Sequence, residues 1–237
     1  MRLIINTRFD TDAAEALFRA LGFTVTPRGY HTLGSINHAI LFGGHHLELT
    51  GLPADGSATR PEIAASPLGA DGLVYRTDDP QRTFEDLRAA GFEATPQQHF
   101  SLPVEGFGDA RFVTVRLAAS QLPGGRVYFC QHLTPECVFR ETWRDHVNGS
   151  YALAALHLVD VEREGYGRLG ESAPGSDLVS HSRATFDAHF GALAAHVPSG
   201  AVRYGAITIR TPYWRAVALS PRQFLRHAEK RLNQHVP

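Results

Sequence analysis

Two stretches of the chain are versions of one segment. Arg19, Ala20, Gly22, Phe23, Thr26 and Pro27 return in the same order and spacing as Arg88, Ala89, Gly91, Phe92, Thr95 and Pro96. Repetition of a whole supersecondary unit constrains a fold more tightly than any short motif. The flanks repeat as well. Strands are expected at Leu3 to Asn6 and at Leu73 to Arg76. Helix starts follow at Asp10-Thr11-Asp12 and at Thr77-Asp78-Asp79-Pro80, the second with proline at the first helical position. The helices run to about Leu21 and Ala90, and Gly22 and Gly91 suit left-handed C-terminal caps.

Strands are then expected at Phe23 to Thr26 and Phe92 to Thr95, each stopped by proline. Each copy ends in a hairpin: Ile36–Phe42 and His45–Thr50 about Gly43-Gly44, then Arg111–Ala118 and Arg126–His132 about a longer turn ending in Gly124-Gly125. The expected fold class is α+β: two βαβββ modules, about residues 1–68 and 69–145, curled round a shared cleft. Residues 146–237 form an α+β extension, readable as an eroded third module. It comprises a strand at Ala152 to Val159, a polar loop over 162–177, a helix over Ser182 to His196, a strand at Val202 to Arg210 and a helix from Ser220.

Composition narrows the partners. The chain has 237 residues, 43% hydrophobic and 20% charged, with a formal net charge of −1. That is ordinary globular composition, with no charge bias toward nucleic acid or a membrane surface. No apolar run approaches the roughly 20 residues that cross a bilayer. Met1 to Asn6 reads as a strand rather than a signal peptide, and two cysteines make no disulfide framework. A cytoplasmic protein is the expectation. The 13 histidines are the one compositional pointer to metal or acid–base work.

Alternation along His45 to Gly51 puts His46, Glu48 and Thr50 on one face and His45, Leu47 and Leu49 on the other. A carboxylate in the middle of such a strand needs a partner, a metal or solvent. Either Glu48 looks into a wet cleft or it is paired, and the repeat favours the cleft. Aligning the turns at Gly44 and Gly125 sets Phe129 opposite Glu48 and Gln131 opposite Thr50, so the inward face should carry His46, Glu48, Thr50, Phe129 and Gln131. Strict alternation turns Cys130 and His132 away, unless the strand end bulges. His31, in a glycine-rich loop, and Asn37 fall where they can cover the cleft mouth. His132 follows as general base or ligand, or as a structural hydrogen-bonder. Cys130 reads as a buried inert thiol, and residues 140–146 as an exposed linker.

The doubled βαβββ order resembles the vicinal oxygen chelate superfamily, which includes glyoxalase I, extradiol dioxygenases and bleomycin-resistance proteins. Gly22 to Pro27, His31 with Gly34 to Asn37, Leu47-Glu48-Leu49, Phe129 to Glu136 and His146 to Gly149 are similar to its glyoxalase-like domain proteins. In metal-dependent members the first strand of each module gives a His or Gln and the last gives a Glu or other ligand. The resemblance places Glu48 at the last-strand position of the first module. The first-strand positions fall at Arg2 and near Gly72, and the remaining one at Phe129 or Gln131.

The resemblance therefore implies one divalent metal (Zn, Mn, Fe or Ni) held by Glu48, His46 and Gln131, or none. It implies a metal-dependent lyase, isomerase or dioxygenase acting on a small oxygenated metabolite, with Glu48 and His132 catalytic and His31, Asn37, His46, Phe129 and Gln131 binding the ligand. The alternative is a non-catalytic small-molecule binding or resistance protein using the same cleft. A homodimer is expected, since superfamily members pair modules across a two-fold axis.

Overall fold

The computed structural model describes residues 2–57, 60–119, 121–161, 164–169, 178–199, 203–212 and 215–218. The first module runs β1 (Arg2–Arg8), α1 (Thr11–Ala20), β2 (Gly29–Tyr30), β3 (Ile36–Phe42) and β4 (His45–Gly51). After the short helix α2 (Pro61–Ala65) come β5 (Gly69–Arg76), α3 (Pro80–Ala89), β6 (Gln98–Val104), β7 (Gly108–Arg116) and β8 (Arg126–His132). The order βαβββ thus occurs twice, as the repeat implies. Local chemistry sets the helix ends. Asp79 caps α3, its Oδ1 accepting from the Arg82 amide at 2.9 Å. Gly22 and Gly91 sit at φ +82° and +81°, the left-handed conformation that turns the chain out of each helix.

One element is displaced from expectation in both modules. Residues 23–26 form no strand, and of 92–95 only Ala94 makes an isolated bridge, to Leu117. Phe23, Val25 and Phe92 are buried in the core, and the backbone pairs only at single points, the Thr26 amide donating to Ala39 O and the Thr95 amide to Arg116 O, so no continuous ladder forms. Pro27 and Pro96 lack the amide a ladder needs. Pairing begins beyond them, at β2 and β6.

The eight strands of the modules form one sheet in the order β2-β3-β4-β1-β5-β8-β7-β6. Within each module the first and last strands run parallel, and β1 and β5 meet antiparallel at the seam. The Thr32 amide donates to Ser101 O at 2.9 Å, so the outer edges approach and the sheet nearly closes. Alternation sorts the side chains. Leu3, Ile5, Leu47, Leu49, Tyr75 and Phe129 pack on the convex side with Phe18 of α1 and Leu87 of α3, while Ile4, Val74, Phe112 and Cys130 cluster on the concave side.

The remaining strands are β9 (Ala152–Val159), β10 (Leu178–His181), β11 (Arg203–Arg210) and β12 (Arg215–Ala218), with helices α4 (Glu164–Gly167) and α5 (Arg183–Phe190). They form a second sheet in the order β10-β9-β11-β12, which differs from the strand order within either module. The helix expected over Ser182 to His196 is α5 followed by a 3-10 segment, broken at Gly191 with φ +56°. Of the loop expected over 162–177, residues 164–167 are the short helix α4, and residues 162–163 and 170–177, like the helix expected from Ser220, lie outside the described residues. Leu156, Leu158, Tyr204 and Ile207 share one apolar cluster with Leu3 and Tyr75, so the second sheet covers the convex side and leaves the concave side open. Among the described residues no helix is long and apolar enough to cross a membrane.

Candidate functional site

Glu48 lies on the concave face and is buried, its side chain 5% exposed, and it is paired. Arg2 Nη1 stands 3.1 Å from Glu48 Oε2. Asn37 Nδ2 donates to Oε1 at 2.9 Å and the Thr50 hydroxyl donates to the same oxygen at 3.2 Å. Burial would raise the Glu48 pKa, but Arg2, His31 and these two donors outweigh it and hold the carboxylate below its usual range. Burial likewise works against the charge on Arg2, and with Tyr128 and Cys130 uncharged at neutral pH it is the facing Glu48 carboxylate that restores it. The wet-cleft reading of Glu48 is corrected: the carboxylate is half of a buried ion pair. The pair is not saturated, because Arg2 Nε and Glu48 Oε2 have no hydrogen-bond partner.

The expected phase of β8 is also corrected. Tyr75 pairs with Phe129 in register and their rings stack at 5.4 Å in the convex core, where Phe129 is fully buried. Gln131 points the same way, donating from Nε2 to Asp78 O at 2.7 Å. The concave side carries Tyr128, Cys130 and His132. The two hairpin turns differ in length, so aligning their glycines shifted β8 by one residue, and a shift of one inverts every side chain.

The Arg2–Glu48 pair stands between two compartments of the concave face. The larger is a cavity of about 340 Å³ lined by Arg2, His46, Val74, Cys130 and His132, with Phe139 and Arg144 from the segment after β8. Residues 140–146 are therefore in part cavity wall, not only linker. The rings of His46 and His132 lie 6.2 Å apart. Burial, then the charge of Arg2, pushes the His132 pKa down to about 3, and the same causes hold His46 well below the usual imidazole value. Both are neutral at pH 7. His132 Nδ1 is buried without a partner. Burial raises the Cys130 pKa and keeps it a thiol.

The smaller compartment, about 40 Å³, is lined by Arg2, Glu48, His31, Arg60, Arg116 and Tyr128 among others. His31 Nδ1 is 2.9 Å from the Ser35 hydroxyl, and burial pushes its pKa down to about 4. No described residue beyond Arg144 lines either compartment.

Of the residues singled out from sequence, the structure thus brings together His31, Asn37, His46, Glu48 and His132, and excludes Phe129 and Gln131. It adds Arg2, Arg116, Tyr128 and Cys130. The signal for Arg2 was its place at the first-strand position that the family resemblance marks. Arg116 and Tyr128 carried no signal beyond their strands.

The donor set does not suit a divalent cation at Glu48. A guanidinium has five donors and no lone pair to offer a metal, and Arg2 presents one against the carboxylate. The second first-strand position is Gly72, where a Cβ would fall 2.7 Å from Ile4 Cγ1. Gln131 is on the wrong side. Among the described residues no group of three or more His, Cys, Asp or Glu is placed to hold a metal.

A family model described as a glyoxalase-like domain matches residues 3–169. Among solved structures, a hypothetical protein from Staphylococcus aureus superposes with a TM-score of 0.63 at 9% identity, covering 90% of this chain and 91% of that one. Methylmalonyl-CoA epimerase from Mycobacterium tuberculosis gives a TM-score of 0.42 at 17% identity over 55% of this chain and 85% of its own. A mutant of 4-hydroxymandelate synthase from Streptomyces coelicolor gives 0.43 at 15% identity over 74% and 52%. At 9% identity the likeness to the Staphylococcus aureus protein is one of fold alone. No curated protein matches the chain in sequence.

Proposed function

We propose, from the premise that this chain belongs to the glyoxalase-like domain family of the vicinal oxygen chelate superfamily, that its concave face binds a small oxygen-rich anionic metabolite and that Arg2 supplies the positive charge there. The observation that carries this is the position of Arg2. It is buried, charged, unsatisfied at Nε and exposed to both compartments. In a water-poor site a fixed guanidinium stabilises negative charge on a substrate oxygen strongly, because nothing need reorganise when that charge develops. Glu48, Asn37 and Thr50 orient it. His46 and His132 are neutral and offer ring nitrogens to the same cavity.

A second reading, that the bound molecule is also turned over, is favoured by the buried, unpartnered Nδ1 of His132. An imidazole of pKa about 3 is a weak base. An anion bound beside it raises that value toward neutrality, so proton transfer becomes available only in the complex. No step through a metal is drawn, since the donors do not fit one.

The test is native mass spectrometry and metal analysis of protein purified without a His tag. The expected result is a co-purifying small acid, released on denaturation and lost in Arg2→Met, with metal below stoichiometry. Stoichiometric Zn, Mn, Fe or Ni that disappears in Glu48→Gln would overturn the assignment of the charge to Arg2. Turnover is separated from binding by His132→Gln, which should abolish the first and retain the second.

A further inference from the structure

Four arginines reach the smaller compartment, and three of them are spoken for. Arg2 faces Glu48. Arg60 Nη2 lies 2.5 Å from Glu62 Oε1. Arg126 donates from Nε to Asp71 Oδ2 at 2.7 Å. The fourth, Arg116, has no ion pair among the described residues, and its buried Nε has no hydrogen-bond partner. Its guanidinium stands 5.4 Å from the centre of the Tyr128 ring, which orients it without neutralising it. Glu48 is the one carboxylate lining this compartment, and its charge is already taken by Arg2, Asn37 and Thr50.

Ile4, Ile63 and Phe100 complete the wall. A half-buried cation against such a wall is costly unless an anion answers it. Burial accordingly works against the charge of Arg116, and Glu62, which makes no ion pair with it and is engaged by Arg60, offsets this only in part.

We propose that this compartment is a carboxylate subsite, in which Arg116 holds one end of the bound metabolite while its other oxygens reach Arg2 in the larger cavity. The inference rests on the reading that the concave face binds a small oxygen-rich anion, and it names the class: a short organic acid with a second oxygen function. Charge and shape select the carboxylate. The space of about 40 Å³, against the roughly 10–15 Å³ that admits one water on the same measure, takes a group of a few heavy atoms. A flat, singly charged carboxylate meets the guanidinium fork edge-on, whereas the second charge of a phosphate would face Glu48, which lines the same space.

The test is titration of the full-length protein with formate, acetate and inorganic phosphate at constant ionic strength. The readouts are the arginine Nε–H resonances and the melting temperature. Formate and acetate should shift the Arg116 resonance saturably and raise the melting temperature, while phosphate at equal charge does neither. Arg116→Met should weaken acetate at least about tenfold, the scale of a lost charge-assisted pair. Arg116→Lys, which keeps the charge and loses the fork, should fall between.

Saturation by acetate that is unchanged in both variants would overturn the subsite. So would a wild-type protein that shows no saturable response, the result expected if the space holds only water. Equal binding of phosphate would overturn the carboxylate class. If the subsite fails while a co-purified acid is still lost in Arg2→Met, the larger cavity alone binds the ligand. If acetate binds through Arg116 but Arg2→Met changes nothing, the role given to Arg2 fails and the subsite stands.

Discussion

The inner face of β4 in the first module carries His46, Glu48 and Thr50, and the matching face of β8 in the second carries Tyr128, Cys130 and His132. The topology is the same and the charge is not. In the first module a carboxylate sits mid-strand, and the first strand of that module supplies Arg2 to answer it. In the second, the first strand offers Gly72 and Val74, and the facing strand carries nothing that needs an ion partner. Duplication has kept the scaffold while placing the central ion pair in one half.

The second module has a buried pair of its own, Asp71 with Arg126, and the contrast is instructive. Glu48 is surrounded by Arg2, His31, Asn37 and Thr50, and its pKa is lowered. For Asp71 burial outweighs Arg126, and its pKa is raised. Removing the carboxylate of each pair should therefore have unequal effects. Glu48→Gln leaves Arg2 buried beside a neutral group and should cost about 3–5 kcal/mol of stability, the range for breaking a buried pair. Asp71→Asn should cost less, because the Arg126 side chain is 19% exposed and can reach water. Urea denaturation of both variants measures this directly. Equal losses would mean that the asymmetry between the modules is not energetic.

A second asymmetry lies at the two helix–Gly–Phe junctions. The first is clasped from residues 146–148. The Thr24 amide donates to His146 Nδ1 at 3.0 Å, and Nε2, 3.0 Å from Leu41 O, therefore carries the proton and donates to that carbonyl. The His146 ring packs 5.5 Å from Phe23 and 4.9 Å from Phe42. The second junction is held by Arg168, whose Nη2 donates to Ala90 O at 2.9 Å while its guanidinium lies 4.6 Å from the centre of the Phe92 ring. His146→Ala strands two backbone groups and should cost about 1–3 kcal/mol. Arg168→Ala removes a solvent-facing contact worth about 0.5–1 kcal/mol. Thermal melts of the two variants decide it, and a larger loss for Arg168→Ala would reverse the order of the two clasps.

How far the sequence could be read follows from these particulars. The βαβββ pair was legible because Gly22 and Gly91 mark left-handed turns that few other residues accept, and because helix caps are local. The face of β4 was legible because alternation inside one strand is local too. The face of β8 was not, since it depends on register against β5 and on a turn whose length differs from its counterpart. The pairing of Glu48 was hidden for a related reason. Arg2 and Glu48 meet only when β1 lies parallel beside β4, a contact across the whole module. The convex placement of the second sheet had no sequence signal, because Leu156 and Ile207 would be buried in any arrangement.

The histidines give the last test, and it again sets one module against the other. His31 and His46 belong to the first, His132 to the second. All three have pKa values lowered by burial, to about 4 for His31 and about 3 for His132. In the unfolded chain each titrates near 6.5. Below that pH the unfolded state binds protons that the folded state refuses. Their contribution is fully present above about pH 6.5 and is lost as pH falls through that value, continuing toward the folded pKa values. Each histidine that stays neutral steepens the fall by at most ~1.4 kcal/mol per pH unit, and solvent reaching the His132 ring reduces its share. Glu48, lowered from 4.5, adds its loss only below about that pH, so the window from pH 6.5 to 5 isolates the imidazoles. Urea midpoints across that window should fall with acid in the wild type and fall less steeply in His132→Gln. His31→Gln and His46→Gln together should flatten the curve more than His132→Gln does, because two of these three histidines lie in the first module, while His38, His146, His157 and His181, whose pKa values burial also lowers, leave the same residual slope in every variant. A curve that His132→Gln alone makes flat would instead locate the acid sensitivity in the second module and break the asymmetry at its weakest point.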